Sequence, residues 1–502
     1  MAHDSAGYAY LAELGDVRAL DPDVVCQVRA VKRVERIGDL IAIPAALKPA
    51  DGDILGHILF ALKYEGVNLQ ILAQALPLVA EPVIREAFNS SPNGKYLRIA
   101  CFLWEHFNRE TIRRSLEELK GNYQPLFDPH IYIAPTVGFR DRRWRINCNP
   151  LGTLGYCATV RRTERLETAL QKNVLKRAWA FTESLDPDLL NRTLSWAYLS
   201  ETRDSFAIEK ETPDTGKTQR FVNLLRKAHE NRIIDEDYLV ELQNDTINNK
   251  FDWAASFRTE QNHLSNGAGA FGVTYVPPEP ELCRELMEHW MQLANHPWKD
   301  VDALVQSAII SFGFVFLHPF MDGNGRLSRF MFHQSLCRQG CLDNGLILPV
   351  SAVLKDRERD YLDALTSYSA GTRTYWDVDY IDPDHVICTF VGHDSIYRYW
   401  DGTRCAELML EACEEAVEQH LKREVAYLAR FDALKRRIDR EYDIADKTLS
   451  QLVMFCLDQK GRISRKRRSQ YQHRVPEGAL EAIEEAYREL FEEERPDPQP
   501  DT

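Results

Sequence analysis

From Val301 to Phe316 the chain is apolar on several faces at once, at Val301, Leu304, Val305, Ala308, Ile309, Phe312, Val315 and Phe316. A helix with that pattern has no face to give to water and belongs at the centre of a core. It runs directly into Leu317-His318-Pro319-Phe320-Met321-Asp322-Gly323-Asn324-Gly325-Arg326-Leu327-Ser328-Arg329. There Pro319, the Asp322-Gly323 pair and Gly325 force a tight loop, and a second helix starts near Asn324 and runs past Cys337 to a Gly340 cap. Any fold for this chain has to be built around that helix, loop and helix.

The loop collects groups suited to phosphate. Gly-rich backbone at a helix N-terminus presents free N–H groups, which form an anion cradle. Arg326 and Arg329 are spaced to share one face of the new helix, and guanidinium forks match phosphate oxygens. Asp322 is a hard oxygen ligand of the kind magnesium uses beside substrate phosphates. His318 stands at the loop mouth as a candidate general base. A plain structural helix-loop-helix, with a satisfied histidine and solvated arginines, would need none of this convergence.

The string from His318 to Arg329 resembles the signature of the Fic family, H-x-F-x-(D/E)-G-N-G-R-x-x-R, and matches it at every defined position. Upstream, Phe257-Arg258-Thr259-Glu260-Gln261 and Tyr275-Val276-Pro277-Pro278 resemble the family's flap hairpin and the Pro-Pro helix behind it. Downstream, Arg357 to Leu365 resembles a helix that often carries Tyr-Tyr-x-Ala-Leu, with Leu362 in place of the second tyrosine after Tyr361. The resemblance covers roughly residues 190 to 400 and is similar in layout to large bacterial Fic proteins with an N-terminal inhibitory helix.

The resemblance implies a protein adenylyltransferase that moves AMP from ATP, with Mg²⁺, to a Ser, Thr or Tyr hydroxyl of a target protein. It implies that His318 takes the hydroxyl proton and that Asp322 holds Mg²⁺. Gly323, Asn324 and Gly325 would line the anion hole, with Arg326 toward the β-phosphate and Arg329 toward the γ-phosphate. The flap residues Thr274, Tyr275 and Val276 would offer backbone hydrogen bonds to an extended target segment. Ser205-Phe206-Ala207-Ile208-Glu209 resembles the family's inhibitory pattern, S/T-x-x-x-E followed by Gly or Asn, with Lys210 standing in the last position. In that pattern Glu209 pairs with Arg329 and withholds it from the γ-phosphate. Some relatives use the same glutamate to align a water that removes AMP.

Composition bounds the remaining choices. The chain has 502 residues, which suggests about three domains. Hydrophobic residues at 44% exclude disorder as the dominant state. A formal net charge of −14 disfavours non-specific nucleic-acid binding. The 11 cysteines show no C-x-x-C pair and read as reduced, mostly buried thiols. No apolar run reaches membrane-span length and the first residues do not read as a leader, so the expected location is the cytoplasm. His106, His130, His263 and His393 have no ligand spacing.

The expected fold is mainly α. Residues 1–170 form a mixed helical N-terminal extension with helical spacing over Gly56–Leu76 and Tyr96–Phe107, then loops and short strands over Gly121–Thr163. Residues 171–400 form a Fic helical core with the inhibitory helix near 195–210, a β-hairpin flap near 257–278 that includes Gly267, Gly269 and Gly272, and the motif at 318–329. Residues 401–502 form a small helical, winged-helix-like module. Helices are expected over Leu166–Leu185, Pro187–Ala207, Thr218–Asn231, Glu279–Ala294, Ala406–Tyr442, Thr448–Leu457, Arg465–Tyr471 and Gly478–Phe491. Phe139 to Arg145 reads as a solvated basic loop with Trp144 as its anchor, and the basic run Arg462–Arg468 is set to pair with the acidic helix Glu481–Glu494. A homodimer is an expectation from the family. A second reading, from a different class, keeps the site as a nucleotide sensor and gives residues 445–502 to DNA or a protein partner.

Overall fold

In a computed structural model of the chain, which describes residues 4–14, 17–22, 24–113, 119–247, 253–266, 272–342, 345–382 and 385–491, the helices on either side of the motif pack against each other. The first, Ala303–Leu317, is capped by Asp302, whose side chain accepts from the Leu304 N–H at 2.9 Å. Every residue from Leu304 to Leu317 except Val315 is buried. Each fully buried Phe of this helix contributes on the order of 1.5–3 kcal/mol by leaving water. Helix Pro280–Asn295 packs on it, and the Trp290 indole N–H donates to the Ile310 carbonyl at 3.0 Å. Gly313 is small because a Cβ there would meet the Tyr156 hydroxyl at 2.6 Å. The second motif helix, Asn324–Arg338, is buried from Arg326 to Leu336.

The chain divides into two compact units, residues 1–177 with 198–414, and residues 178–197 with 415–502. The first holds the motif. Its N-terminal part carries an unanticipated four-stranded sheet in the order Ser5–Ala6, Val25–Val28, Leu40–Ile43, Glu35–Ile37, with Cys26 paired to Ile41 in a parallel register. The single helical run expected over 56–76 is two helices, Ile54–Tyr64 and Leu69–Ala75. Gly66 turns the chain at φ 94°, and Asn68 caps the second helix by accepting from the Ile71 N–H. The region 121–163 holds short strands, as its composition indicates. One of them, Cys157–Thr159, pairs in parallel with Tyr399–Asp401 from beyond the motif. Trp144 is fully buried and its indole N–H donates to Glu105 at 2.7 Å, which anchors the basic loop.

The helix expected over 166–185 is also broken, into Glu164–Gln171 and Val174–Glu183, where Asn173 takes a left-handed φ of 48°. The segment expected near 195–210 to carry the inhibitory pattern lies on one helix, Pro187–Ile208. The run 406–442 is Thr403–Glu415, a π-helical segment Ala416–Leu421 and Lys422–Asp439. In the second unit, helices Lys422–Asp439, Asp446–Asp458, Arg465–Tyr471 and Ala479–Phe491 bury Leu434, Ile438, Leu452, Tyr471 and Ile483 together. Every element among its described residues is helical. Arg468 pairs with Glu481 at 2.5 Å and Glu484 at 2.6 Å, the intramolecular neutralisation that the charge pattern suggests. The acidic end of that helix, Glu492–Glu494, lies outside the described residues, as do Gly267 and Gly269. All eleven cysteines are free. Among the described residues no helix is long and apolar enough to cross a membrane.

Candidate active site

His318 follows Leu317, the last residue of the buried helix, and caps it in a left-handed conformation, φ 51°. That conformation is unfavourable for a residue with a Cβ, by roughly 1–2 kcal/mol, so the surroundings must hold it. The ring Nδ1 lies 3.1 Å from the Val315 carbonyl. A carbonyl only accepts, so Nδ1 carries the proton and Nε2 keeps its lone pair. Burial pushes the imidazole pKa down to about 4, and the charge of Arg258 acts in the same direction. The Val315 carbonyl, Glu209 and Asp322 oppose that shift without cancelling it. His318 is therefore neutral near pH 7 and oriented to accept a proton at Nε2.

The loop after it is held by backbone bonds. The Asn324 side chain accepts from the Phe320 N–H at 3.0 Å and donates to the Phe320 carbonyl at 2.7 Å. Asn262 adds a bond to the same carbonyl at 3.3 Å, and Gln243 reaches the Asp322 carbonyl at 3.4 Å. Gly323 begins the motif helix at φ 86°, a region open to glycine, and a Cβ there would crowd Thr246 Oγ1 at 3.1 Å. The first turn of the motif helix thus presents its N–H groups at a glycine-lined surface. The Asp322 carboxylate is more than half exposed beside it, 3.4 Å from Arg326 Nη2. A cation at Asp322 would draw on that one carboxylate and on substrate oxygens, since no group of three His, Cys, Asp or Glu among the described residues is placed to hold a metal.

Both motif arginines are 3% exposed, and each meets a carboxylate from the turn that follows the helix Pro187–Ile208. Arg329 donates through Nε to Ser205 Oγ at 2.8 Å, and through Nη2 to the Ser205 carbonyl at 2.9 Å and to Glu209 Oε1 at 2.8 Å. Burial is the largest influence and works against the Arg329 charge, but Glu209, Tyr361 and Glu201 together outweigh it and the net pKa shift is upward. Arg326 lies 3.5 Å from Glu211 Oε1 and stacks 5.1 Å over the Phe206 ring. Arg326 Nε and Arg329 Nη1 are buried with no hydrogen-bond partner, donors that suit added anionic oxygens. The Glu209 carboxylate sits against Gly325 so closely that a Cβ there would collide with it. A carboxylate of the chain thus occupies the anion-favouring end of the motif helix.

The turn that aims Glu209 explains Lys210. The Lys210 N–H donates to the Ala207 carbonyl at 2.9 Å and the Glu211 N–H to the Phe206 carbonyl at 3.0 Å, a Schellman cap with Lys210 in the left-handed position at φ 58°. A Gly or Asn suits that position best because it tolerates positive φ. Lys takes the same conformation at a modest energetic penalty. The helix itself is bolted down through buried Glu201, which accepts from the Ser351 N–H at 2.8 Å and lies 3.1 Å from His333, and through Asp204, which pairs with Lys355 at 2.8 Å.

The flap is a hairpin of Leu264–Ser265 and Val273–Tyr275, with Leu264 opposite Tyr275. Of Thr274, Tyr275 and Val276, only Thr274 is exposed. Tyr275 points into the core and donates to the Phe316 carbonyl at 2.5 Å, and the Val276 carbonyl accepts from the Tyr397 hydroxyl at 2.6 Å. Tyr361 is buried, and the Arg329 charge bears on its hydroxyl. Two residues with roles in the geometry escaped the sequence reading. Glu211 had no motif to mark it. Arg258 stood inside a quoted stretch without a function.

Residues 233–336 match the Fic/DOC family. A probable protein adenylyltransferase of Aquifex aeolicus (strain VF5) is 27% identical over 115 residues, which cover 23% of this chain. The match spans only 33% of that protein's length. Among solved structures, a Fic family protein from Desulfovibrio desulfuricans G20 aligns at 18% identity over 59% of this chain and 88% of its own, with a TM-score of 0.40. Fic-1 from C. elegans aligns at 14% identity over 76% of this chain and 95% of its own, with a TM-score of 0.33.

Proposed function

Because residues 233–336 are a Fic domain, we propose that this chain is a protein adenylyltransferase that moves AMP from ATP to a hydroxyl of a target protein and is held in check by Glu209. The observation that carries the reading is the site itself. A neutral histidine with a free Nε2 stands beside a glycine-lined helix N-terminus that carries two buried arginines. Such a site suits nucleophilic attack at a phosphorus atom.

In this reading His318 Nε2 accepts the proton of the target hydroxyl as its oxygen bonds to the α-phosphorus. The bond from that phosphorus to the bridging oxygen breaks, and pyrophosphate departs. Gly323 and Gly325 allow phosphate oxygens to approach the backbone N–H groups, while Arg326 and Arg329 neutralise the charge of the rest of the chain of phosphates. Asp322 would hold Mg²⁺, which neutralises phosphate charge when bound. Asn324 acts by fixing the loop between His318 and Gly323. The Glu209 carboxylate occupies Arg329, so the γ-phosphate loses its partner and meets a like charge. In this reading the same carboxylate would orient a water, and removal of AMP is a second activity to assay on the same site.

The test is incubation with α-labelled ATP and Mg²⁺, in a lysate and alone. Label should appear on protein, increase by about tenfold or more in Glu209→Gly, which corresponds to about 1.4 kcal/mol of restraint released, and vanish in Glu209→Gly/His318→Ala. Labelling that persists without His318 would remove the proposed mechanism, and equal labelling with and without Glu209 would remove the restraint.

A further inference from the structure

Arg258 is 5% exposed, and its hydrogen bonds run to backbone carbonyls. Nε donates to the carbonyl of His318 at 2.9 Å, Nη1 to that of Glu260 at 3.1 Å, and Nη2 to that of Pro278. Its own backbone N–H donates to the Pro319 carbonyl at 2.8 Å. The carbonyls of His318 and Pro319 lie past the end of a buried helix, where no further helical turn can satisfy them. Glu260 precedes the flap hairpin and Pro278 follows it. One guanidinium thus binds the catalytic loop and both ends of the flap.

We propose that Arg258 is a positioning residue that fixes His318 and makes the flap base and the catalytic loop one rigid piece. The inference rests on the reading of His318 as the base. Its physical content has two parts. His318 needs an outside constraint to stay at φ 51°, and a bond to its own carbonyl supplies one. A planar fork with donors in three directions can reach three carbonyls at once, which an ammonium on a flexible stem cannot do in one geometry. Burial of a charge for this task is costly and weakens the Arg258 pKa itself, which argues against a role in stability alone. The residue touches no reacting atom and acts through the loop.

The experiment compares Arg258→Lys and Arg258→Gln in the Glu209→Gly background. It measures kcat and KM for ATP separately with α-labelled ATP, and it follows the His318 ring resonance by NMR from pH 3.5 to 8, assigned by its loss in His318→Ala. Arg258→Lys should lower kcat by about tenfold with KM for ATP within about twofold, because the nucleotide contacts are elsewhere. Arg258→Gln should lower kcat further and move the His318 midpoint upward. Asp322 from the loop also acts on that ring and pushes the same way, as does Glu209 in the unsubstituted chain, whose carboxylate the Glu209→Gly background removes from every protein compared. Added guanidinium should restore part of the activity of Arg258→Ala, whereas methylammonium should not. If Arg258→Gln fails to fold, Arg258→Lys carries the test. Unchanged kcat in Arg258→Lys, or an unmoved His318 midpoint in Arg258→Gln, overturns the inference. If the Glu209→Gly parent transfers no label, the adenylyltransferase reading fails, and the NMR comparison alone decides whether Arg258 sets His318.

Discussion

Arg329 Nη2 donates to Glu209 Oε1 at 2.8 Å across 120 residues of sequence, from a guanidinium that is 3% exposed to a carboxylate that is about one-third exposed. The asymmetry in burial matters. Glu209 can swing into solvent at small cost, whereas Arg329 cannot follow and is left needing another anion. In the proposed reading the contact is a restraint that a nucleotide would replace, in contrast to a fully buried pair that would be locked.

The first prediction concerns that exchange. Glu209→Gly should lower the stability of the nucleotide-free protein by about 1–3 kcal/mol, because a buried guanidinium loses its carboxylate. Mg-ATP should then raise the melting temperature of the variant more than that of the parent. Glu211→Gln should shift the ATP response in the same direction by a smaller amount, since its carboxylate is 3.5 Å from Arg326. Thermal shift with and without Mg-ATP reads all three proteins. Equal shifts in parent and Glu209→Gly would contradict the exchange.

Lys210→Gly should stabilise the protein. The residue sits at φ 58° in the left-handed C′ position of the helix Pro187–Ile208. Relief of the Cβ strain, reduced by glycine's greater freedom in the unfolded chain, leaves a gain of about 0.5–1 kcal/mol. Urea unfolding should show a raised midpoint, and AMP transfer should stay low because Glu209 keeps its place. A lowered midpoint would mean that the turn does not carry the strain.

The buried neutral state of His318 makes stability depend on pH. Its pKa falls from 6.5 to about 4 on folding, so between those values the unfolded chain binds more protons. The contribution of His318 is complete above about pH 6.5 and is lost as pH falls toward 4, by about 3 kcal/mol in total. Chemical unfolding at pH 7 and pH 5 should show a smaller loss in His318→Gln than in the parent. Matching losses would show that the imidazole is not held neutral. The same depression keeps Nε2 unprotonated from pH 6 to 8, so His318 should impose no acidic limb on transfer in that range.

Asn324→Ala should act on the loop. The Asn324 amide, 2% exposed, holds both the N–H and the carbonyl of Phe320. Asn262 still reaches the carbonyl in the variant, but the buried Phe320 N–H loses the Asn324 oxygen as its acceptor. A stability loss of about 1–3 kcal/mol follows, together with reduced kcat. Unfolding curves and labelled-ATP kinetics check it. A rise in KM for ATP with stability unchanged would instead assign Asn324 to phosphate contact.

Much of the site was legible because its parts are contiguous. A buried helix, a Gly/Pro loop and a second helix can be read from local pattern, and the bounds expected for Arg465–Tyr471 and Glu279–Ala294 are met within a residue or so. Runs of apolar spacing misled where a single residue turned the chain. Gly66 and Asn173 adopt positive φ inside stretches whose periodicity continues through them. The four-stranded N-terminal sheet was not legible because its strands are two to four residues long, too short for alternation to show.

By itself, the sequence determined the chemistry of the loop from His318 to Arg329, since proton acceptor, carboxylate, glycines and arginines all lie within three turns of chain. Tertiary structure alone decided who meets those groups. It set Glu209 on Arg329 and Glu211 near Arg326, tied Arg258 to the His318 carbonyl, and paired Tyr399–Asp401 with Cys157–Thr159. The physical reason is that local propensity carries no information about which distant backbone carbonyl or carboxylate will satisfy a buried donor. That choice is made when the core closes and every buried polar group must find its partner.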